Sequence, residues 1–410
     1  MPTAPTVERI RALAAEELPR LVAIRHDLHM HPEVGYEEVR TSQVIARELQ
    51  DAGVRHVTGL AGGTGILAHL PAPAGECVGL RADIDALPIH ERAPGRAHAS
   101  RTPGRMHACG HDGHIAVMLG TARVLARLAA EATLPRPVTL VFQPAEEGGA
   151  GGKRMVEDGA LDGSRLGPRV TSIHALHGWP ELPLGTVATR VGPIMAASDR
   201  FQVTVEGAGA HAAWPHRAHD PVVCAAAIVT ALQSIVARNV DPLDAAVVSV
   251  TVIEAGSAFN VIPGRAVIKG TYRSLSEATR SLIERRLVEV AAGIAAAHGC
   301  TARCEPIRNY PVTVNDQPSA EFGLDVAHAV VGAQRTIRLP NPIMGAEDFS
   351  YVLNKVPGAM IFLGGTPHHV DLASAAPNHS NRVTFDESAM IDGVAMYSSL
   401  ALRTLGVRVD

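Results

Sequence analysis

Long apolar runs are missing from this 410-residue chain. No uninterrupted stretch approaches the ~20 residues that a membrane-spanning helix needs. The opening M-P-T-A-P-T-V-E-R-I-R-A-L carries no apolar secretion segment, so the sequence reads as cytoplasmic, with no membrane partner. Basic runs and aromatic–basic interleaving are also missing, and the net charge is only −4, which argues against nucleic acid as a partner. Cysteine is scarce: five residues, an odd number scattered through a long chain, make no disulfide framework. Cys77, Cys224, Cys300 and Cys304 fall in apolar runs, where a small buried hydrophobe is expected. Neither G-x-S-x-G nor H-E-x-x-H occurs, which disfavours a serine nucleophile and the zincin arrangement. The glycine-rich stretch after Gln143 is not a phosphate loop, because Gly152-Lys153 is followed by Arg154 rather than Ser or Thr.

What is present is ordinary in bulk and unusual in one place. Apolar residues make up 46% and charged residues 19%, as in a soluble globular protein, and the length suggests two or three domains. The unusual place is Met106–His114, M-H-A-C-G-H-D-G-H, which holds His107, Cys109, His111, Asp112 and His114. Thiolate and imidazole are the ligands that Zn²⁺ and its first-row neighbours favour, so this stretch predicts a metal site. Cys109 and His111 are two apart and would point the same way on a strand end or extended loop. The segment that follows reads as a helix, so Asp112 either caps it or faces the metal. Nothing here has zinc-finger spacing, and the remaining ligands must come from distant sequence.

Taken in order, the chain predicts helices over 6–28 and 36–53 and strands over 65–70 and 77–85. His26, His29 and Glu33 near the first helix end are expected to be structural. Asp83 and Asp85, i and i+2 at a strand's C-terminal end, place two carboxylates on one face, where ligand sites lie in open α/β sheets. The strand over 137–143 stops at Pro144 and delivers Glu146 and Glu147 into a glycine-rich loop. Neighbours on a regular strand face opposite ways, so this pair needs the bend that the loop supplies. One carboxylate could then bind metal while the other handles a proton. A strand over 169–176 is expected to set His174 and His177 at its terminus. By residue type His114, His174 and His177 are equal candidates.

Strand–helix alternation predicts a largely parallel sheet covered on both faces. From about Ile194 the order becomes β-α-β-β-α-β, the ferredoxin-like pattern, and after about Asn309 the α/β character returns. The expected architecture is α/β: a discontinuous catalytic domain (1–193 and 309–410) with a ferredoxin-like domain (194–308) inserted.

Together H-A-C-G-H-D-G-H, Q-P-A-E-E-G-G-A-G, A-L-H-G-W-P-E-L-P-L-G, A-H-A-A-W-P-H and G-A-E-D-F resemble the M20 metallopeptidases. The likeness is strongest to the branch of N-acyl-amino-acid amidohydrolases that includes hippurate hydrolase and the auxin-conjugate hydrolases. It runs from about Arg25 to His379. The resemblance implies a site for two divalent ions (Mn, Zn, Co or Ni), bridged by Cys109 and completed by His111, Glu147, His177 and His379. It further implies Glu146 as catalytic base, with Asp83 and Asp85 behind the ligands as orienting groups. His211 is implied as a catalytic and substrate-contacting histidine of the inserted domain, and Asn260 and Arg273 as substrate-binding residues. The implied partners are a small N-acyl amino acid and a second copy of the chain, as a homodimer or a tetramer. Such a site would hydrolyse amides; a dipeptidase or carboxypeptidase of the same fold, or a relative that binds metal without turnover, are the rival readings.

Overall fold

A computed structural model describes residues 6–403. The chain divides into two compact units. The larger takes the described residues up to Ile194, Val314–Asn341 and those from Asp348 onward; the smaller takes Met195–Thr313 and Pro342–Glu347. The G-A-E-D-F motif therefore straddles a boundary, with Glu347 in the smaller unit and Asp348 in the larger.

The larger unit is mixed α/β, with a large, mostly parallel sheet. Its eight strands lie in the order Arg55–Leu60, Gly65–Leu70, Val138–Gln143, Cys77–Asp83, Val170–Pro183, Gly358–Thr366, Val187–Thr189, Thr336–Arg338. The four central strands run parallel, and antiparallel pairs occur on both flanks. Every residue of V-T-L-V-F-Q and of C-V-G-L-R-A-D is buried, as expected of parallel strands covered on both faces. Their side chains nonetheless divide by parity. Val78, Leu80, Ala82, Val138, Leu140, Phe142 and Leu176 join one apolar cluster. Helices Val7–Met30, His111–Glu131, Gln317–Val331 and Ala389–Leu402 supply the rest of it, through Leu21, Ile115, Val326 and Val394 among others. Arg81, Asp83, Gln143 and His177 have the other parity, and that parity carries the chemistry.

Several local expectations are corrected. The strand expected over 169–176 runs on to Pro183, so His174 and His177 lie inside it rather than at its end. Three residues apart on a strand, they face opposite ways: His174 sits against Phe322 in the apolar cluster, with ring centroids 6.0 Å apart. The helix after the Cys/His stretch begins at His111, and its N-cap is Gly110 at φ +83°. Asp112 thus neither caps the helix nor faces the cluster described below; its Oδ2 holds His29 Nδ1 at 2.8 Å and Arg25 Nε at 3.2 Å. Glu33, by contrast, is structural as expected, accepting the Arg40 and Thr41 amides at the start of helix Val39–Asp51.

In the smaller unit four antiparallel strands lie in the order Ala246–Ala255, Arg265–Ser274, Ala197–Glu206, Thr301–Tyr310. Helices Pro221–Asn239 and Glu277–Ala297 bury Cys224, Ile228, Leu232, Ile235, Ile283 and Leu287 against Phe201, Val203 and Ile268. Asp220 and Ser276 cap them, each accepting a first-turn backbone amide. The first helix, 19 residues with a mean hydropathy of 1.7, has the length and composition of a membrane span, which the run-length reading of the sequence did not anticipate. Its Cys224–Ile228–Leu232–Ile235 stripe, at i, i+4, is taken up by the sheet.

Candidate metal centre

The site-bearing side chains of the larger unit converge because three local irregularities aim them. Gly110 holds the left-handed conformation between Cys109 and His111, and a Cβ there would come within 2.8 Å of the Phe385 ring. This turn, not an extended loop, brings Cys109 and His111 to one place. After the Val138–Gln143 strand, Ala145 takes φ +52°, and helical turns broken at Glu147 and Gly148 replace the expected glycine-rich loop. Glu146 and Glu147 thereby both reach His111, with one ligand atom of each within 4.8 Å of the others. His379 holds φ +68°, fixed by its amide's hydrogen bond to the Ala108 carbonyl at 2.8 Å. Left-handed non-glycine residues cost about 1–3 kcal/mol each and persist where the surroundings over-determine them.

Two groups of donors result. Cys109, Glu147 and His379 form one, and Asp83, His111, His114 and His177 the other, each within 4.8 Å. Cys109 Sγ lies 3.5 Å from His177 Nε2, so the thiol borders both groups. His379 Nε2 stands 3.1 Å from Glu147 Oε1, yet that oxygen has no hydrogen-bond partner: the two face each other without aligned geometry. Nε2 of His111 is also buried and unpartnered.

Hydrogen bonding separates the histidines that sequence left equal. His111 directs Nδ1 to the Asp85 carbonyl at 2.9 Å, which makes Nδ1 the protonated nitrogen and leaves Nε2 a lone pair. His177 does the same through the Gly178 carbonyl at 2.8 Å, turning Nε2 toward Cys109. His114 is used at both ends: Nδ1 donates to Asp83 Oδ1 at 2.5 Å, and Nε2 accepts the Gly178 amide at 2.7 Å. It supports its neighbours and has no lone pair to give. His174, with neither nitrogen partnered, is pushed by burial to about 3 and stays neutral.

The electrostatics of the cluster favour a cation. Burial alone would lower the His111 pKa, but Asp83, Asp85 and Glu147 outweigh it and raise it to about 10. The same carboxylates that favour positive charge on His111 would favour a metal ion at its Nε2. His177 moves the opposite way, well below its ordinary value, because burial and the neighbouring His114 both disfavour its charge. The buried orphan atoms and the S, N and O donor set therefore fit a first-row divalent ion.

Behind the donors lies a charge network that sequence reasoning missed. Arg81, fully buried, donates from Nη1 to Asp83 at 2.6 Å, from Nη2 to Asp348 at 3.1 Å and from Nε to Gln143 at 2.9 Å. Asp348 also accepts from Gln143 Nε2 and the Gly152 amide at 2.8 Å each, and its own amide donates to Glu146 Oε1 at 3.3 Å. Glu38 accepts the Ala145 amide and the Thr64 hydroxyl, both at 2.9 Å, and so fixes the left-handed residue before Glu146; burial raises its carboxyl to about 7. The available signal was parity: Arg81 sits two before Asp83 on the same strand face.

Asp85 is buried, and its Oδ2 accepts the Glu147 amide at 2.9 Å. The remaining candidates, His211, Asn260 and Arg273, lie in the smaller unit. There the Ala210–His211 and Val261–Ile262 strands pair, and the Ala212 amide donates to the Asn260 carbonyl at 2.9 Å, which brings His211 and Asn260 together. His211 is exposed, accepting the Ala213 amide on Nδ1 at 3.1 Å, with its ring 5.0 Å from that of Trp214. Arg273, on the Arg265–Ser274 strand opposite Val247 and Ser198, has its pKa lowered by burial.

Residues 79–403 match the sequence model of peptidase family M20/M25/M40. The chain is 39% identical over 373 residues to an N-acetyl-L-cysteine deacetylase of Bacillus subtilis, covering 91% of this chain and 85% of that one. It is 38% identical over 389 residues to the IAA-amino acid hydrolase ILR1-like 4 of Arabidopsis thaliana, covering 94% and 86%. Among solved structures it is similar to a Bacillus subtilis protein described as a dinuclear metal binding peptidase of the M20 family. That likeness has a TM-score of 0.81 and 32% identity over 95% of this chain and 98% of the other.

Proposed function

Because the chain belongs to peptidase family M20/M25/M40, we propose that it is a metal-dependent amidohydrolase that cleaves N-acyl-L-amino acids into a carboxylic acid and a free amino acid. The observation that carries the reading is the convergence of Cys109, His111, Glu147, His177 and His379 around unpartnered, buried His111 Nε2 and Glu147 Oε1, with Glu146 alongside. The printed activities of its relatives, a deacetylase and an amino acid hydrolase, support amide chemistry.

On this reading those five residues would hold two divalent ions, and Cys109 borders both donor groups. When bound, such ions would act as Lewis acids on the acyl carbonyl and lower the pKa of water toward ~7. The chain's own residues do the rest. Glu146, its Oε1 held by the Asp348 amide, takes the proton of the attacking water and returns it to the leaving amine. Asp85 orients His111 through its carbonyl and Glu147 through its carboxylate, and Asp83 fixes His114, which in turn holds the Gly178 backbone beside His177.

For the smaller unit, the strand order and two helices support a ferredoxin-like assignment. The reading gives His211 to oxyanion stabilisation and substrate contact, Asn260 to substrate binding, and Arg273 to the substrate carboxylate, which a guanidinium binds through two parallel hydrogen bonds. It also makes this unit the dimerisation element, on the resemblance of its motifs.

The test is a substrate screen. Protein reconstituted in turn with Mn²⁺, Zn²⁺, Co²⁺ and Ni²⁺ is assayed on acetyl-, benzoyl- and indolylacetyl-amino acids and on dipeptides. Turnover of N-acyl amino acids is the expected result. Cleavage of dipeptides alone would make it an exopeptidase, and stoichiometric metal without any turnover would make it an inactive relative.

A further inference from the structure

An open cleft of about 580 Å³ in the larger unit runs between the 92–98 loop and the 382–387 segment. Four arginines line it. Two form its fixed floor. Arg25, with a side chain only 5% exposed, is held by Glu387 at 2.5 Å and by Asp112 at 3.2 Å. Arg96 is held by Glu91 at 2.7 Å and by the Val383 carbonyl at 2.6 Å. The other two differ: among the described residues Arg92 and Arg382 have exposed side chains and make no ion pair or side-chain hydrogen bond. The one acidic residue lining the cleft, Glu387, is already shared by Arg25 and His26, the latter at 3.0 Å.

The surroundings decide the sign of the ligand. His26, His98 and Glu387 place three donor atoms within 4.8 Å, which could suggest a second cation site. Yet Glu387 Oε1 already serves Arg25 and His26, and His98 is stacked on His26 with centroids 3.7 Å apart. The sign follows from the cleft's own charges: four arginines line it against one carboxylate, Glu387, whose Oε1 is already engaged. Two unpaired guanidinium forks, over a floor whose charges are already matched, suit a ligand with two negative charges on oxygen.

We propose that this cleft is a binding site for a small oxyanion of charge −2, a dicarboxylate or a tetrahedral dianion, with Arg92 and Arg382 as its charged contacts. None of the cleft's unpaired residues belongs to the metal-donor cluster, so the proposal stands apart from the hydrolase reading. The probes are succinate and sulfate, each titrated calorimetrically into the full-length, Mn²⁺-loaded protein. At least one should bind, and the double variant R92A/R382A should lose about tenfold or more in affinity, with metal content and melting temperature unchanged. A control variant, R165A/R303A, removes the same charge from exposed arginines elsewhere and should bind as the wild type does. If the alanine pair lowers the melting temperature, R92K/R382K, which keeps charge but not the fork, should retain part of the affinity. No binding of either anion at about 10 mM, wild-type affinity in R92A/R382A, or equal loss in the control would overturn the proposal. Succinate binding without sulfate, or the reverse, identifies the class of oxyanion.

Discussion

Replacing Arg81 by methionine keeps most of the buried volume and removes the one cation between Asp83 and Asp348. All three side chains are fully buried, so water cannot compensate. Asp348 keeps the Gln143 side-chain amide, which reaches both its oxygens, and the Gly152 backbone amide, whereas Asp83 keeps the Nδ1 of His114. Breaking one side of a buried pair costs about 3–5 kcal/mol, a large share of the ~5–15 kcal/mol that stabilises a typical domain. With a urea dependence of about 1–3 kcal/mol per molar, the midpoint should fall by about 1–5 M. The loss should also depend on pH. In the wild type, burial pushes the Asp83 carboxyl up, but Arg81, His111 and His114 more than reverse it and hold it well below its ordinary value. Such a group adds stability above its unfolded pKa and loses it as pH falls through the folded one. Without Arg81 the burial effect gains ground and the folded pKa rises, so the variant is penalised most where the carboxyl must ionise. Urea unfolding in EDTA should therefore show a larger deficit at pH 8 than at pH 5. A wild-type midpoint at pH 8, or an equal deficit at both pH values, would refute this account of the network.

Glu38 carries the opposite sign. Its folded pKa of about 7 lies above the unfolded value of 4.5, so its contribution is present below 4.5 and lost as pH rises through 7, at a cost of roughly 3 kcal/mol. Glu38→Gln should flatten that slope, because the amide oxygen can accept the Ala145 amide while the Thr64 hydroxyl turns to accept from nitrogen; an unchanged pH profile in thermal melts counts against it. Cys109→Ser should weaken metal retention and activity together, with partial rescue by excess metal. Wild-type metal content in an inactive Cys109→Ser protein would favour thiol chemistry instead. Gly110→Ala should lose about 1–3 kcal/mol, since φ +83° and the Phe385 ring both oppose a Cβ, and unaltered stability in the melt would contradict that strain.

The sheet and helices were legible because their patterns are local. The strands expected over 65–70, 77–85 and 137–143 appear at 65–70, 77–83 and 138–143, which leaves Asp85 beyond its strand, and the helix limits shift by a few residues at most. The donor stretch at Cys109 and His111 was legible by residue type. What the sequence could not rank was His114, His174 and His177, because the ranking depends on where each second nitrogen goes. That is decided by Gly178, by Asp83 and by a strand that runs seven residues past its expected end. Arg81 and Glu38 were passed over for a related reason. Both act through residues distant in sequence, Asp348 and Ala145; Arg81, a charge inside an apolar run, reads as an exception until its partners are located, and Glu38 reads as an ordinary helix-start carboxylate.

Glu146→Gln separates proton transfer from metal binding. The amide keeps nearly the same shape and can still accept the Asp348 amide on its oxygen, but it is a poor acceptor for the water's proton. Metal content by elemental analysis after desalting, measured beside kcat on an N-acyl amino acid, should stay at the wild-type level while kcat falls by about 10²–10⁴-fold. Glu147→Gln, assayed in parallel, should lose metal first, because a neutral amide oxygen is a poorer ligand than a carboxylate. Equal metal loss in the two variants, or a Glu146→Gln protein with wild-type kcat, would contradict the division of labour on which the account rests.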